Sequence, residues 1–251
     1  MSIPTSPGVT IVTGSAQGIG EAIATRLIAD GGQVVLLDLA AHVDETAQRI
    51  GAVGAIRLDV TDVQALQQSI HAVAEEHGRL DTLVNCAGTC GRESFEELSL
   101  ATWHRDLDTN LTAAAFASQV AVFPHMREQG YGRIVNIASV SGKVGGIGPV
   151  NAEGAVPRSG AAYASAKAGT INLTRWVARE VGAWGITCNA VCPGPIESPM
   201  TVGAAYGVDE FAVPRMGTPA EVAAAVAYLV GPDSGYTTGT AMHVDGGSVM
   251  A

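Results

Sequence analysis

Two residues of this chain have the types and the spacing to carry out acid–base chemistry: Tyr163 and Lys167, four apart in the segment AAYASAKAGTINL. The sequence contains only one other lysine, Lys143, so chance does not explain the pairing. In a helix, residues four apart share one face, and an ammonium near a phenol lowers the pKa of the phenol. The pair therefore predicts a general acid or base. In the alternative, the helix is amphipathic and both side chains only pack at an interface.

The composition limits the partners of the protein. Its formal net charge of -10 and sequence pI near 4.9 argue against binding to nucleic acid or to an anionic membrane surface. No stretch of about 20 apolar residues could span a membrane, and the first residues lack the pattern of a secretory signal. We therefore expect a cytoplasmic protein with no membrane partner.

Four cysteines form two C-x3-C pairs, Cys86 with Cys90 and Cys188 with Cys192. This spacing is a poor match to common zinc sites, and no histidine lies near either pair. We predict no metal site and four small, reduced packing residues.

Apolar segments of strand length alternate with longer helical patterns along the whole chain. This alternation predicts an α/β fold, a doubly wound parallel seven-stranded sheet with helices on both faces, as in the Rossmann fold. No linker or repeat interrupts it, so residues 1–251 are predicted to form a single domain. The predicted strands are Val9–Thr13, Gln33–Asp38, Ala55–Leu58, Thr82–Asn85, Arg133–Ala138, Thr187–Val191 and Met242–Val244, and the predicted helices are Gly18–Ala29, Val43–Ile50, Val63–Glu76, Thr102–Glu128, Ala161–Val181 and Ala220–Leu229.

A glycine-rich loop follows the first predicted strand and opens the first predicted helix. Its glycines let the backbone approach a pyrophosphate, while the helix N-terminus offers free amides and a partial positive charge. A tight turn without a ligand is the alternative, but the position between strand and helix favours a dinucleotide site. The residues predicted to contact the dinucleotide here are Gly14, Ser15, Gln17, Gly18, Ile19 and Gly20.

The second predicted strand ends in Asp38, followed by Leu39. A carboxylate at this position can accept hydrogen bonds from the ribose hydroxyls of NAD, and it repels the 2′-phosphate of NADP by roughly 1–4 kcal/mol at 4 Å. No arginine occurs at 15–17 or 39–41, so NAD is the predicted cofactor. The alternative is that Asp38 only caps the following helix.

Two further strand ends carry predicted cofactor contacts. Asp59 and Val60 follow the third strand, where the carboxylate could accept the adenine amino group or could serve only as a turn residue. Asn85, Ala87 and Gly88 close the fourth strand, and their small size would let the backbone pass close to the nicotinamide ribose.

These motifs together resemble the short-chain dehydrogenase/reductase family in its compact, single-domain form. The resemblance covers nearly the whole chain, and it rests on the order of the motifs rather than on any one of them. The motifs are TGSAQGIG, Asp38, DV at 59–60, NCAG, the asparagine of LDTNL, IVNIASVSG, YASAK, PGPIESPM and TGTAMHVDGG.

The resemblance implies catalytic roles for four residues. Tyr163 would exchange a proton with the substrate oxygen, and Lys167 would bind the nicotinamide ribose and lower the pKa of Tyr163. Ser139 would stabilise charge on the substrate oxygen, and Asn110 would hold a water that connects Lys167 to solvent. By themselves, a strand-end serine is typical of a turn and a mid-helix asparagine of a surface position.

The resemblance also places residues beside the nicotinamide and implies an assembly. Pro193, Gly194, Ile196 and Ser198 follow the sixth strand and would contact the cofactor, although a Pro-Gly turn is the alternative. Members of the family commonly form tetramers, so we expect a homotetramer.

The chain departs from the family pattern between Ser139 and Tyr163, which are 24 residues apart, a longer separation than is usual. The additional residues lie within GGIGPVNAEGAVPRSG, whose glycines and prolines predict a loop beside the catalytic centre. We predict that this loop forms part of a substrate lid, with Asn151, Glu153 and Arg158 as polar contacts. An exposed loop or a subunit contact is the alternative.

The sequence thus predicts an oxidoreductase that transfers a hydride between NAD(H) and a small to medium secondary alcohol or ketone. Within the enzyme class, the alternative is a ketoacyl reductase acting on acyl carrier protein, which the acidity of both proteins and Asp38 argue against. Outside it, the alternative is a protein that binds NAD without turnover, which the complete catalytic set argues against.

Overall fold

Short apolar strands alternate with helices because strands covered by helices on both faces must be apolar throughout. The computed structural model describes residues 6–148, 158–204 and 206–250, and it confirms the predicted α/β fold. The strands of the sheet are β1 (Val9–Thr13), β2 (Gln33–Asp38), β3 (Gly54–Arg57), β4 (Thr82–Asn85), β5 (Gly132–Ile137), β6 (Ile186–Pro193) and β7 (Ala241–Val244).

All seven strands are parallel, in the order β3-β2-β1-β4-β5-β6-β7. The order reverses between β1 and β4, whose register pairs Val12 with Val84. In sheets of this kind, ligands bind beyond the carboxyl ends of the strands at the point of reversal. The segments that follow β1 and β4 therefore border the expected binding crevice.

The helices that connect these strands cover the sheet. In chain order within the described ranges they are α1 (Gly18–Ala29), α2 (Val43–Ile50), α3 (Val63–His77), α4 (Leu100–Leu107), α5 (Ala113–Val120), α6 (Arg127–Gln129), α7 (Ser141–Val144), α8 (Ala161–Val181) and α9 (Pro219–Val230).

The core is divided by the sheet into two main clusters. On one face, α3, α5 and the end of α8 pack against the strands through residues such as Leu66, Ile70 and Ala117. On the other face, α1, α2 and α9 pack against the sheet, with Leu27 and Leu229 fully buried. Helices thus cover both faces of the sheet, and the loops that follow the strands lie at its carboxyl end.

The predicted helical stretch Thr102–Glu128 lies within a helical run from Leu100 to Gln129, but it is not one regular α-helix, because two π-helical turns, Asp108–Thr112 and Ala121–Met126, separate α4, α5 and α6. In the second turn, Phe123 leaves helical geometry with φ −112° and ψ 112°. Pro124 follows it and has no amide hydrogen to continue the helix. The first turn carries a predicted catalytic residue, and such widened turns are frequent at functional sites.

Two further properties concern membranes and metals. None of the helices in the described ranges is both long and apolar enough to cross a membrane. Over the same ranges, no cluster of three or more His, Cys, Asp or Glu side chains could hold a metal ion.

Candidate active site

A cleft of about 680 Å³ opens at the carboxyl ends of the strands, where the strand order reverses. It is continuous from the glycine-rich loop to the start of α8. Most of the predicted site residues line it, namely Gly14, Gln17, Gly18, Ile19, Gly20, Asp38, Leu39, Asp59, Val60, Ala87, Gly88, Asn110, Ser139, Tyr163, Lys167, Pro193, Gly194, Ile196 and Ser198.

Two predicted cofactor contacts, Ser15 and Asn85, are not among the lining residues. The hydroxyl of Ser15 is fully buried and donates to the carbonyl of Leu37 at 3.4 Å. The amide of Asn85 donates to Asn136 Oδ1 at 2.8 Å and to Ser118 Oγ at 3.2 Å. Both side chains therefore point into the protein and hold the strand ends that support the cleft.

The loop between β1 and α1 brings bare backbone to the cleft. Gly14 has φ +65°, and a Cβ there would lie 2.6 Å from Cα of Ala87, so the ends of β1 and β4 meet backbone to backbone. Gly18 has φ +60°, and α1 begins there with no side-chain cap from Gln17. Uncapped amides at a helix N-terminus attract anions such as a pyrophosphate.

Asp38 borders the cleft at the end of β2. Its Oδ2 accepts the amide hydrogen of Ala16 at 2.8 Å, and its Oδ1 accepts that of Ala40 at 2.8 Å. Each carboxylate oxygen has a further lone pair, so both can still accept a ribose hydroxyl. Asp38 is not the cap of the following helix, because α2 begins after His42.

A basic residue near this carboxylate was missed in the sequence. Arg57 is the register partner of Asp38 in the β2–β3 pair, and its Nε donates to the carbonyl of Leu39 at 3.2 Å. The signal that could have found it is strand pairing, since both residues end adjacent parallel strands. The guanidinium of Arg57 thus lies beside residues 39–41, where the sequence itself contains no arginine.

Tyr163 and Lys167 lie in the first two turns of α8 and share one face, as predicted. Lys167 is only 4% exposed, and its Nζ donates to the carbonyl of Ile137 at 2.7 Å. The same Nζ lies 5.6 Å from the centroid of the Tyr163 ring. The end of β5 therefore fixes the lysine, and the lysine lies beside the tyrosine.

The electrostatics of the pair differ from the sequence-based expectation. Burial raises the pKa of Tyr163 above its ordinary value, and the Cys90 thiol adds to the rise. A hydrogen bond from Ser139 and the charge of Arg92 act in the opposite direction. Burial also lowers the pKa of Lys167, to about 8. The pair alone therefore keeps the phenol protonated, because the desolvation of a phenolate outweighs the effect of its neighbours.

Ser139 lies two residues beyond β5 and is 7% exposed. Its Oγ accepts the amide hydrogen of Ser141 at 3.1 Å. This bond uses a lone pair of the hydroxyl and leaves its hydrogen available for Tyr163 or for a substrate oxygen in the cleft.

Asn110 lies in the first π-helical turn. Its Nδ2 donates to the carbonyls of Thr89 at 2.9 Å and Asp106 at 2.8 Å, whereas its buried Oδ1 has no partner within the described part of the chain. A Cβ on Gly88 would lie 2.8 Å from this Oδ1 and 3.7 Å from Nζ of Lys167. The unused acceptor beside the lysine fits the bound water that the resemblance implies.

The long insertion leaves and re-enters the fold at the wall of the cleft. Ile147 and Ser159 line the cleft and bond to each other, from Ser159 N–H to the Ile147 carbonyl and from Ile147 N–H to Ser159 Oγ, both at 3.2 Å. Arg158 is exposed and is not a lining residue. Asn151 and Glu153 lie outside the described residues, so the lid stays a prediction.

A hydrogen bond joins two walls at the substrate end of the cleft. Arg92, in the segment after β4, donates from Nη2 to the hydroxyl of Tyr206 at 2.9 Å. Tyr206 belongs to the segment between β6 and α9, and both residues line the cleft. No local motif predicts this hydrogen bond, since 114 residues separate the partners.

The comparisons with known proteins agree with this geometry. Residues 14–249 match the model of a family described as enoyl-(acyl carrier protein) reductase. The chain is 38% identical over 256 residues to short-chain reductase protein NovJ of Streptomyces niveus, which covers 95% of this chain and 93% of that protein. The chain belongs to the short-chain dehydrogenase/reductase family.

Other short-chain dehydrogenases/reductases match over a similar length. The 3-oxoacyl-[acyl-carrier-protein] reductase FabG of Vibrio harveyi is 35% identical, over 96% of this chain and 97% of that protein. The meso-2,3-butanediol dehydrogenase of Serratia marcescens is 37% identical, over 97% of this chain and 95% of that protein. The protein is therefore an oxidoreductase that acts on alcohol or keto groups with a nicotinamide cofactor.

The residues of this short-chain dehydrogenase/reductase fit such a cofactor on three observations. Gly14 and Gly88 line the cleft without side chains that would narrow it. Asp38 keeps free lone pairs at the edge of the cleft. Finally, the buried acceptor of Asn110 has no partner among the described residues.

Proposed function

We propose that the protein transfers a hydride between NAD(H) and a small to medium secondary alcohol or ketone. Its catalytic residues in this proposal are Asn110, Ser139, Tyr163 and Lys167. The observation that carries it is that Ser139, Tyr163 and Lys167 line the same cleft that the bare glycine loop borders, with Nζ of Lys167 at 5.6 Å from the centroid of the Tyr163 ring. When bound, the cofactor supplies or accepts the hydride.

The chain's own residues manage the proton. Because burial keeps the phenol of Tyr163 protonated, this residue suits donation of a proton to a ketone oxygen. Ser139 donates to the same oxygen and stabilises the charge that develops there. In the oxidation direction, the phenol must first lose its proton. Lys167 and the water held by Asn110 provide a route for that proton towards solvent.

We propose NAD rather than NADP as the cofactor. Asp38 supports this choice, because its carboxylate lies at the end of β2 and would repel a 2′-phosphate. Arg57 favours NADP instead, since its guanidinium donates a hydrogen bond to the carbonyl of Leu39, next to Asp38, and would attract a 2′-phosphate. The carboxylate borders the cleft and Arg57 does not, so we expect Asp38 to dominate.

We also propose that residues 1–251 form one cofactor-binding and catalytic domain and that four copies assemble. Exposed aromatic side chains on two helices support the homotetramer, with Phe116 of α5 39% exposed and Trp176 of α8 63% exposed. The proposed cytoplasmic location rests on the sequence alone.

A ketoacyl thioester is the second candidate substrate. Arg92 and Arg105 both line the cleft near its substrate end, and arginines there suit an anionic carrier. The similarity to a 3-oxoacyl-[acyl-carrier-protein] reductase supports the same chemistry.

The test is a screen with the Tyr163→Phe variant as its control. NAD reduction is followed with cyclic, polyol, hydroxy-acid and aryl secondary alcohols, and NADH oxidation with acetoin and acetoacetyl-CoA. We expect the variant to lose about 100- to 10,000-fold in turnover, because it cannot transfer the proton. NADH binding, measured by nucleotide fluorescence, should be kept. Unchanged turnover in the variant would contradict the catalytic assignment.

A further inference from the structure

Asp106, in α4, is a fully buried carboxylate that no motif of the sequence singles out. Its Oδ2 accepts the amide hydrogen of Gly91 at 2.7 Å. Its Oδ1 accepts the hydroxyl of Thr89 at 2.9 Å and two guanidinium N–H groups of Arg105, from Nε at 3.1 Å and Nη2 at 3.0 Å. This carboxylate therefore fixes the backbone of the segment that follows β4 along the cleft.

The same segment holds the start of the catalytic helix. The carbonyl of Gly91 accepts the amide hydrogen of Gly160 at 2.7 Å, and Gly160 is the residue directly before α8. A Cβ on Gly160 would lie 2.7 Å from this carbonyl oxygen, and a Cβ on Gly91 would lie 2.9 Å from Oδ2 of Asp106. The three residues are in direct contact, so a shift of the carboxylate moves the first turn of α8, which carries Tyr163.

A second connection runs from Asp106 to another catalytic residue. The side-chain amide of Asn110 donates to the backbone carbonyl of Asp106 at 2.8 Å and to that of Thr89 at 2.9 Å. Thr89 is in turn held by the carboxylate of Asp106. The carboxylate therefore braces both segments between which Asn110 is fixed.

Asp106 also acts on the catalytic lysine through its charge. Burial lowers the pKa of Lys167, and four acidic groups oppose this effect: the thiols of Cys86, Cys90 and Cys192 and the carboxylate of Asp106. Burial raises the pKa of the Cys86 thiol to about 12 and that of Cys192 to about 11, and it also raises that of Cys90. At neutral pH the thiols are therefore uncharged, and the carboxylate is the group among these four that favours the ammonium.

We propose that Asp106 is a positioning residue of the active site, which fixes the start of α8 through Gly91 and Gly160 and keeps the ammonium of Lys167 charged. The catalytic importance of this role rests on the function proposed above. The role itself can be measured without a substrate.

The chain offers a sensitive probe, because it contains only two lysines. Protein labelled with ¹³C at lysine Cε gives two NMR signals, and a Lys143→Arg variant assigns them. We expect Lys167 to titrate at a pKa of about 8 in the unchanged protein and at a lower pKa in Asp106→Asn. The sign follows because the substitution removes an anionic neighbour of the ammonium.

Asp81→Asn is the matched control. Asp81 is also fully buried, accepts a backbone amide and pairs with Arg79, two residues before it, but it precedes β4 at the other end of the sheet. We expect this variant to leave the titration of Lys167 unchanged. If the substitutions acted only through a general loss of packing, both variants would shift the titration of Lys167 alike.

Hydrogen exchange provides the second measurement. In Asp106→Asn, the amide of Gly91 loses its charged acceptor, and the amides of Gly160 and Ala164 depend on the position of Gly91 through the bonds from Gly160 to Gly91 and from Ala164 to Gly160. All three amides should therefore exchange faster, by about tenfold or more. In Asp81→Asn they should exchange at the original rate. Turnover of Asp106→Asn on a substrate from the screen should fall roughly 10- to 100-fold, since small misplacements of catalytic groups are costly.

Thr89→Val decides the question if Asp106→Asn does not fold. It removes one hydrogen bond to the carboxylate and keeps the charge, so we expect faster exchange at the start of α8 with unchanged titration of Lys167. Original exchange rates in Thr89→Val would then overturn the proposal. If Asp106→Asn folds, an unchanged titration of Lys167 together with unchanged exchange overturns it.

The outcomes separate this inference from the proposed function. If Tyr163→Phe is inactive while Asp106→Asn behaves like the unchanged protein, the role of Asp106 is wrong and the proposed function stands. If Asp106→Asn changes both measurements while Tyr163→Phe turns over normally, the positioning of α8 stands and the proposed chemistry is wrong.

Discussion

The two ends of the sheet carry buried aspartates of nearly the same construction. Asp81 precedes β4 at the amino end, and Asp106 lies beneath the cleft at the carboxyl end. Each is fully buried, accepts one backbone amide, and pairs with an arginine close in sequence: Arg79, two residues before Asp81, is 50% exposed, and Arg105, directly before Asp106, is 49% exposed. Local chemistry therefore does not distinguish the two sites.

What each aspartate holds does distinguish them. Asp81 accepts the amide of Val9, and its carbonyl accepts that of Arg133, so it joins the beginnings of three strands. Asp106 instead fixes loop segments that position Asn110 and the start of α8. In parallel α/β sheets the carboxyl end carries the ligand site. We therefore expect the aspartate–arginine pair to contribute to stability at one end and, under the proposal above, to chemistry at the other.

The largest expected effect is at the amino end. Asp81→Asn should lower the free energy of unfolding by about 3–5 kcal/mol, because the amide of Val9 and two guanidinium N–H groups of Arg79 lose a charged acceptor and each such bond contributes about 1.5–3 kcal/mol. Chemical denaturation measures this loss. At a temperature where the variant remains folded, turnover should match that of the unchanged protein. A large drop in turnover would contradict the claim that Asp81 contributes to stability and not to catalysis.

At the carboxyl end, Ser139→Ala should have the opposite pattern. We expect turnover to fall about 100- to 1,000-fold, equal to about 2.7–4 kcal/mol, because one donor to the developing oxyanion is lost. The midpoint of chemical denaturation should change little, since the substitution removes one hydroxyl. Steady-state kinetics and denaturation on the same samples check both halves. Equal damage to stability would contradict the assignment.

At the cofactor side of the carboxyl end, Asp38 is the residue expected to select between NAD and NADP. Asp38→Ala should raise the preference for NADP relative to NAD by about 1–4 kcal/mol, because a repulsive charge is removed. Ratios of kcat/KM for the two cofactors measure the change. In the variant, Arg57 is left as the nearby charge, so adding Arg57→Gln should reverse part of the gain. A ratio that does not move would remove Asp38 from cofactor selection.

The smallest expected effect is at the substrate side. Tyr206→Phe should raise KM by up to about tenfold, with kcat nearly unchanged, because one hydrogen bond of about 0.5–1.5 kcal/mol to Arg92 is lost across the cleft. Tyr228→Phe, which removes a comparable exposed hydroxyl contact to Thr237 away from the cleft, is the control. An equal change of KM in both variants would show that the contact at Tyr206 is not specific to substrate binding.

The regular parts of the fold were predictable from the sequence. The predicted bounds of β1, α1, β2, α2, β4 and α8 coincide with those of the structure, because their apolar periodicity and flanking glycines are local signals. The two π-helical turns were not predictable in this way. In the first turn the residues keep a helical composition and the hydrogen-bond pattern changes, whereas in the second turn Pro124 is a local signal against a regular helix and Phe123 leaves helical geometry.

Site residues that belong to a sequence motif were predictable, whereas residues placed by long-range contacts were not. Tyr163 and Asp38 were found from spacing, whereas Asp106 has the sequence context of a charged residue on an exposed helix face. Its partner Gly91 lies 15 residues away in another segment. The direction of the Tyr163 pKa depends on burial, which no local pattern reports.

The mutual bonds of Ile147 and Ser159 have a consequence for how this enzyme can diversify. They close the base of the insertion, and Gly160 is separately bonded to Gly91, so these contacts within the described residues already hold the start of α8. Doubling the length of a flexible loop costs only about 0.6 kcal/mol. We therefore expect segments of other lengths and compositions to be tolerated between Gly148 and Arg158, giving variants with new substrate ranges around Tyr163, the proposed proton donor.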